Sequence, residues 1–172
     1  TCREQKINGI IISMLHAYQS SAHEDKVKGE IERLAPDLFA FTSSEIWPVV
    51  REYERTTTAI LNGYVHPRVA DYLTGLEGTL SDLGIPARPL LTKSNGGLMQ
   101  AETGKRNCVS MLLSGTAAGV TGACWLARQA GNDRVLTLDI GGTSADLALI
   151  IDGQPQFGKD EKIGDFPLHI PS

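Results

Sequence analysis

Cysteine is scarce in this chain: Cys2, Cys108 and Cys124 stand far apart, with no CxxC pair. An odd number at that spacing excludes a disulfide framework or a zinc knuckle and suits a reducing cytoplasm, with the thiols read as buried and structural. Positive charge is in short supply too. Sixteen Lys and Arg against twenty Asp and Glu leave a net charge of −4, which excludes a domain that grips nucleic acid by counterion release. No apolar run is long enough to span a bilayer, and the sequence does not open on a basic-then-apolar leader, so no membrane segment is expected. Internal repeats and low-complexity tracts are also missing. What remains is a chain of 172 residues, 41% apolar and with 18 glycines, sized for one ordinary domain or two small lobes.

The first 45 residues read as a strand–helix–strand unit, the building block of parallel sheets. Ile7 to Leu15 is a near-continuous apolar run of strand length. Ser21-Ala22-His23-Glu24 matches a capping box, and Val27, Ile31 and Leu34 follow at helical spacing. Pro36 stops that helix, and Leu38 to Phe41 supplies a second strand.

Residues 44–83 read as helical, with Val69, Leu73, Leu76, Leu80 and Leu83 at spacings of three and four and Gly84 as the stop. Pro67 predicts a break or kink near His66, with two helices rather than one rod. Gly75 and Gly78 weaken the second one by about 1 kcal/mol each relative to alanine and suit a site of close approach. Beyond this stretch come short strands at Pro89–Thr92 and Val109–Leu113, a helix over 116–130 closed by Gly131-Asn132, and strands at Val135–Asp139 and Ala145–Ile151. Asp152-Gly153 is a strong hairpin signal.

Chemistry concentrates in Leu138-Asp139-Ile140-Gly141-Gly142-Thr143-Ser144-Ala145-Asp146. A carboxylate ends a buried strand, a glycine pair and a hydroxyl follow, and a second carboxylate opens the returning strand. Glycines at such a tip leave no Cβ in the way of a bound group, and consecutive N–H groups there can form a concavity for phosphate oxygens. Asp139 can hold Mg2+ directly or through water, since that ion prefers one or two carboxylates plus substrate phosphates. Two further glycine loops, Ser94-Asn95-Gly96-Gly97 and Ser114-Gly115-Thr116-Ala117-Ala118-Gly119, follow strands, and the second opens a helix. Each suits either a turn or cap, or an anion contact at a helix N-terminus. Neither is a Walker A loop, since no Gly-Lys-Ser/Thr follows.

Together with Arg51-Glu52-Tyr53-Glu54-Arg55-Thr56-Thr57-Thr58, Ser94-Asn95-Gly96-Gly97-Leu98-Met99 and Leu113-Ser114-Gly115-Thr116-Ala117-Ala118-Gly119, the Asp139–Asp146 string gives the chain its resemblance to a family. It resembles the hydantoinase/oxoprolinase family, in particular hydantoinase A-type subunits such as N-methylhydantoinase, 5-oxoprolinases and acetone carboxylase subunits. The resemblance implies an α/β chain, an internal fragment of a two-lobe actin-like, ribonuclease H-like ATPase fold. Strand–helix units would lead to a C-terminal β-hairpin carrying Asp-x-Gly-Gly-Thr. Residues 1–45 resemble the tail of the family's N-terminal domain and 46–172 the start of its hydantoinase A domain. A first-lobe hairpin would then precede Thr1, and a later glycine-rich segment would follow Ser172. The implied activity is ATP-dependent opening of a hydantoin- or 5-oxoproline-like cyclic amide, with ATP and Mg2+ as cofactors and a hydantoinase B-type partner subunit or domain, in the cytoplasm.

On that resemblance Asp139 is the catalytic and Mg2+-holding carboxylate, and Gly141, Gly142, Thr143, Asp146, Gly96, Gly97 and Gly115 line the nucleotide. Thr116 departs from the pattern, standing where a proline is usual, as do Ser20-Ser21 where Asn-Pro is usual. A small-molecule kinase of the same superfamily and a non-catalytic scaffold subunit are the alternatives. Among other polar residues, Glu24-Asp25 reads as a solvated helix face. Glu52, Glu54 and Arg55 read either as a salt-bridged helix start or as a substrate or interlobe contact. The four histidines share no metal-ligand spacing.

Overall fold

The computed structural model describes residues 4–142, 145–156, 158, 161–163 and 166–168. The chain divides into two compact units, one of residues 1–72 with 160–169, the other of 73–159 with 170–172.

In the first unit, β1 (Gly9–Ile12) and β2 (Phe39–Thr42) pair in parallel across the crossover helix α1 (Ala22–Leu34), with Gly9 beside Phe39 and Ile12 beside Thr42. Parallel strands require such a crossover, so the strand–helix–strand reading holds. Gly9 is needed there: a Cβ would sit 2.0 Å from the Phe39 ring. The strand is shorter than the apolar run suggests for a visible reason. At Met14 side chains take over from the ladder, Glu24 accepting from its N–H at 2.8 Å and Arg55 donating to its carbonyl at 2.7 Å.

The capping box at Ser21 does not form. Ser21 is itself helical (φ −74°, ψ −9°), makes no side-chain cap bond, and donates its hydroxyl to Asp25 at 2.6 Å. Glu24 turns inward and is fully buried, so it is no solvated face. The expected stripe is displaced with it: Val27 and Leu34 are exposed, while Glu24, Lys28 and Ile31 face inward. β2 runs into the short helix α2 (Ser43–Ile46), whose N-cap Thr42 accepts from the Glu45 N–H.

Helix α3 (Glu52–Asp82) is one helix of 31 residues, with Pro67 inside it. The two helices expected on either side of His66 are thus one, although Pro67 forfeits the bond to the Gly63 carbonyl. Packing decides the matter. His66 sits edge-on against Phe39 and Phe41, each 4.8 Å away, and Gly63 lets Ile11 approach so closely that a Cβ would lie 2.6 Å from its Cδ1. Gly75 and Gly78, by contrast, have open space where a Cβ would be, so no close approach explains them. Two short strands, β8 (Glu161–Ile163) and β9 (Phe166–Leu168), also belong to this unit.

The second unit begins within α3, which stops as expected at Gly84. Its φ is +69°, and Gly84 N–H to Ser81 and Ile85 N–H to Leu80 form a Schellman end. β3 (Leu90–Thr92) and β4 (Leu98–Gln100) make an antiparallel pair, followed by α4 (Ala101–Arg106). The strand expected at Val109–Leu113 is instead a 3₁₀ turn, Cys108–Met111. The run is short and apolar, which periodicity cannot classify, and it buries Cys108 and Val109 without pairing as a strand.

Helix α5 (Ser114–Gln129) packs against the three-stranded sheet of β5 (Val135–Ile140), β6 (Ala145–Ile151) and β7 (Gln154–Pro155). The Asp152-Gly153 turn between β6 and β7 has positive φ at both residues, 52° and 68°, as a type I′ hairpin demands. Cys124 and Ala127 of α5 and Ile150 of β6 are buried, and Arg128 clasps the Gly153 carbonyl at 2.6 Å. The opposite face of this sheet is apolar and exposed, with Leu136, Leu138, Ile140, Leu147 and Leu149 all 46–71% accessible. Among the described residues, no helix is long and apolar enough to cross a membrane.

Candidate functional site

Antiparallel register sets the site. Asp139 of β5 lies directly opposite Asp146 of β6, and Thr137 opposite Ala148. Alternation along the strands puts these residues on the face that also carries buried Ile150, the side packed by α5. Two like charges directly opposite destabilise a strand pair unless something compensates them. For Asp146 part of the compensation is visible, because Thr116 in the first turn of α5 donates to it, Oγ1 to Oδ2, at 3.3 Å.

Gly141 and Gly142 follow Ile140 at the exposed tip. Thr143, expected to add a hydroxyl there, lies outside the described residues. A Cβ at Gly142 would meet nothing within 4 Å, and its φ is not positive, so local packing does not require glycine. Gly115 in the first turn of α5 is equally open. Leu113, the residue before α5, sits in the left-handed region (φ 62°) and offers no side-chain cap, so the helix itself leaves its first-turn N–H groups unpaired.

The Ser94–Gly97 loop differs. Gly96 has φ +76°, and a Cβ there would lie 2.8 Å from Thr121 Oγ1, so both conformation and the approach of α5 demand glycine. Gly97 donates its N–H to Asn95 Oδ1 at 3.1 Å, and Ser94 anchors the turn through the Ser110 and Leu112 carbonyls. Fold geometry thus accounts for the glycine at position 96. Asp139, Asp146, Gly141, Gly142 and Gly115 belong instead to one open margin of the second unit.

A second polar constellation lies in the first unit, and sequence reasoning missed it. Glu24 accepts from Met14 N–H, Ser43 Oγ (2.7 Å), Ser44 N–H (3.0 Å) and Ser44 Oγ (2.6 Å). Burial alone raises a carboxyl pKa; the hydrogen bonds from Ser44, Ser43 and Met14 outweigh it and hold Glu24 below the ordinary carboxylate value. Arg55, also fully buried, donates to Ser43 Oγ, Val49 O and Met14 O. Arg55 is therefore neither a salt-bridged helix start nor a group offered to a substrate. It and Glu24 staple the strand ends internally. One signal was legible: Glu24 stands seven residues, two helical turns, before Ile31 and so shares its inward face.

Elsewhere in the second unit a cleft of about 480 Å3 is lined by residues including Glu77, Arg88, Gln100 and Glu102. None of the expected site residues lines it. Cys108 is buried, and burial pushes its thiol up to about 11, which removes it as a nucleophile. Among the described residues no group of three or more His, Cys, Asp or Glu side chains could hold a metal; the oxygen donors at the hairpin are the Asp139–Asp146 pair.

Comparison with known proteins settles the lineage: the hydantoinase/oxoprolinase family profile matches residues 55–172, well over half the chain. The chain belongs to the hydantoinase/oxoprolinase family. Curated relatives include the caprolactamase alpha subunit of Pseudomonas jessenii, 30% identical over 169 residues that make up 98% of this chain and 24% of that subunit. The acetone carboxylase beta subunit of Xanthobacter autotrophicus is 29% identical over 95% of this chain and 23% of its own length. A solved nucleotide-free structure of acetone carboxylase, an enzyme of ATP-dependent acetone carboxylation, superimposes with a TM-score of 0.83 at 28% identity, over 98% of this chain and 24% of that one. The mixed α/β architecture is thus shared with that enzyme. This chain spans about a quarter of these relatives.

Proposed function

We propose that the β5–β6 hairpin and the first turn of α5 form one side of an ATP-phosphate site in an ATP-dependent enzyme that opens a cyclic amide. The observation carrying this reading is the pair Gly115 and Gly142. Both are open, neither is required by backbone conformation or packing, and they accompany two facing carboxylates. The membership of the family and the likeness to an ATP-dependent enzyme support it.

The donor set fits Mg2+ and a phosphate: hard carboxylate oxygens, N–H groups and no Cβ at Gly141 or Gly142. Asp139 would hold Mg2+, and the N–H groups of Gly141, Gly142 and the α5 first turn would take phosphate oxygens. ATP, when bound, supplies a phosphoryl group that renders an unreactive amide carbonyl electrophilic. This chain's share is preorganised charge placed where phosphate charge develops, a contribution that needs no rearrangement during reaction. Two ribonuclease H-like lobes closing on the nucleotide, as in actin, would complete the site in the cytoplasm, with a hydantoinase B-type partner in keeping with relatives that are themselves named as subunits.

A second reading, carboxylation of a small ketone, is favoured by the structural likeness to acetone carboxylase. Product analysis on the complete protein with ATP separates them. Ring-opened acid appearing with ADP and phosphate from a hydantoin, 5-oxoproline or lactam supports the hydrolase. Fixation of labelled bicarbonate into a ketone replaces it with the carboxylase, and a released phosphorylated product replaces it with a kinase.

A further inference from the structure

Asp139 and Asp146 are chemically identical and face one another, yet the structure treats them differently. Thr116 donates its hydroxyl to Asp146 at 3.3 Å. The bond joins the first turn of α5, whose N–H groups lack a side-chain cap, to the strand that returns from the hairpin tip. The hydroxyl at the third residue of the helix supplies that donor; an apolar residue or a proline there supplies none.

We infer that Thr116 is a positioning residue of the nucleotide site. By holding Asp146 it sets the α5 first turn and the hairpin tip at a spacing where both can donate to one phosphate group. The two carboxylates thereby divide their work: Asp146 is engaged as a tether, and Asp139 is left as the carboxylate available to Mg2+. This inference rests on the phosphate-site reading above, and it deepens that reading by assigning unequal roles to two residues that the sequence pattern treats alike.

The test uses the complete protein, with Mg2+·ADP as the calorimetric probe and ATP turnover as the kinetic one. Thr116→Val, which keeps side-chain shape and removes the donor, weakens Mg2+·ADP binding about fivefold and raises the KM for ATP to match, since one hydrogen bond to a charged group is lost. Its kcat falls less than its KM rises, because Asp139 is untouched. Thr116→Ser restores affinity. Asp146→Asn, which keeps an acceptor oxygen, costs far less turnover than Asp139→Asn. Thr116→Val combined with Asp146→Ala adds nothing beyond Asp146→Ala alone, because both remove the same bond.

Unchanged affinity in folded Thr116→Val, failure of serine to rescue, or equal losses from Asp146→Asn and Asp139→Asn overturns the inference while leaving the phosphate site standing. Folded wild-type protein that binds no Mg2+·ADP overturns the phosphate-site reading, and this inference with it.

Discussion

The two units finish their sheets in opposite ways. Past the carboxyl ends of β1 and β2, polar groups are buried and bonded: Glu24, Ser43 and Arg55 are fully inaccessible and join strand ends to helix starts. Around the β5–β6 hairpin, apolar groups are exposed and carboxylates face each other, one of them held by a single threonine. The first arrangement satisfies its own charges; the second leaves charge, N–H groups and apolar surface available to something else. A charged residue within a family string can therefore serve the fold, as Arg55 does.

Breaking the first unit's network should give the largest effect on stability. Glu24→Ala leaves buried donors at Ser43, Ser44 and Met14 unpaired and is expected to cost about 3–5 kcal/mol in denaturant unfolding. The same group sets a pH dependence. Its folded pKa lies below the unfolded value near 4.5, so its contribution is complete above that pH and is lost as pH falls through the lower folded pKa. Glu24→Gln should flatten this acid limb; an unaltered limb would show that other carboxylates govern it.

Asp139→Asn sharpens the contrast from the other side. Turnover of ATP in the complete protein should fall by about 100-fold or more, from loss of roughly 3 kcal/mol of transition-state stabilisation, with the melting temperature nearly unchanged. A large stability loss with retained turnover would place Asp139 with Glu24 as a fold residue. Gly142→Val comes next: it obstructs the tip without clashing with any described neighbour, so nucleotide affinity should drop about tenfold while folding is spared. The smallest effect on stability belongs to Leu138→Lys, within about 0.5 kcal/mol because Leu138 is exposed. It should nonetheless reduce self-association of the isolated chain in sedimentation, because it interrupts the apolar sheet face.

Much of the local structure was legible because it depends on neighbours in sequence. The β1–α1–β2 unit, the Gly84 stop and the Asp152-Gly153 turn follow from periodicity and from the left-handed conformations that glycine, and in turns aspartate, accept. The proposed site's ingredients were legible as well, since Asp139, Gly141, Gly142 and Asp146 fall within one eight-residue string. Four outcomes were decided only by tertiary contact. Pro67 stays helical because His66 is packed against Phe39 and Phe41, and Cys108–Met111 coils with Cys108 and Val109 buried and Ser94 donating to the Ser110 carbonyl. Glu24 leaves its cap because distant serines supply better donors, and Gly96 separates from Gly142 because Thr121 of α5 lies against one and nothing against the other. Propensity and spacing are properties of the chain itself, whereas burial and hydrogen-bond partners are supplied by residues brought close only when it folds.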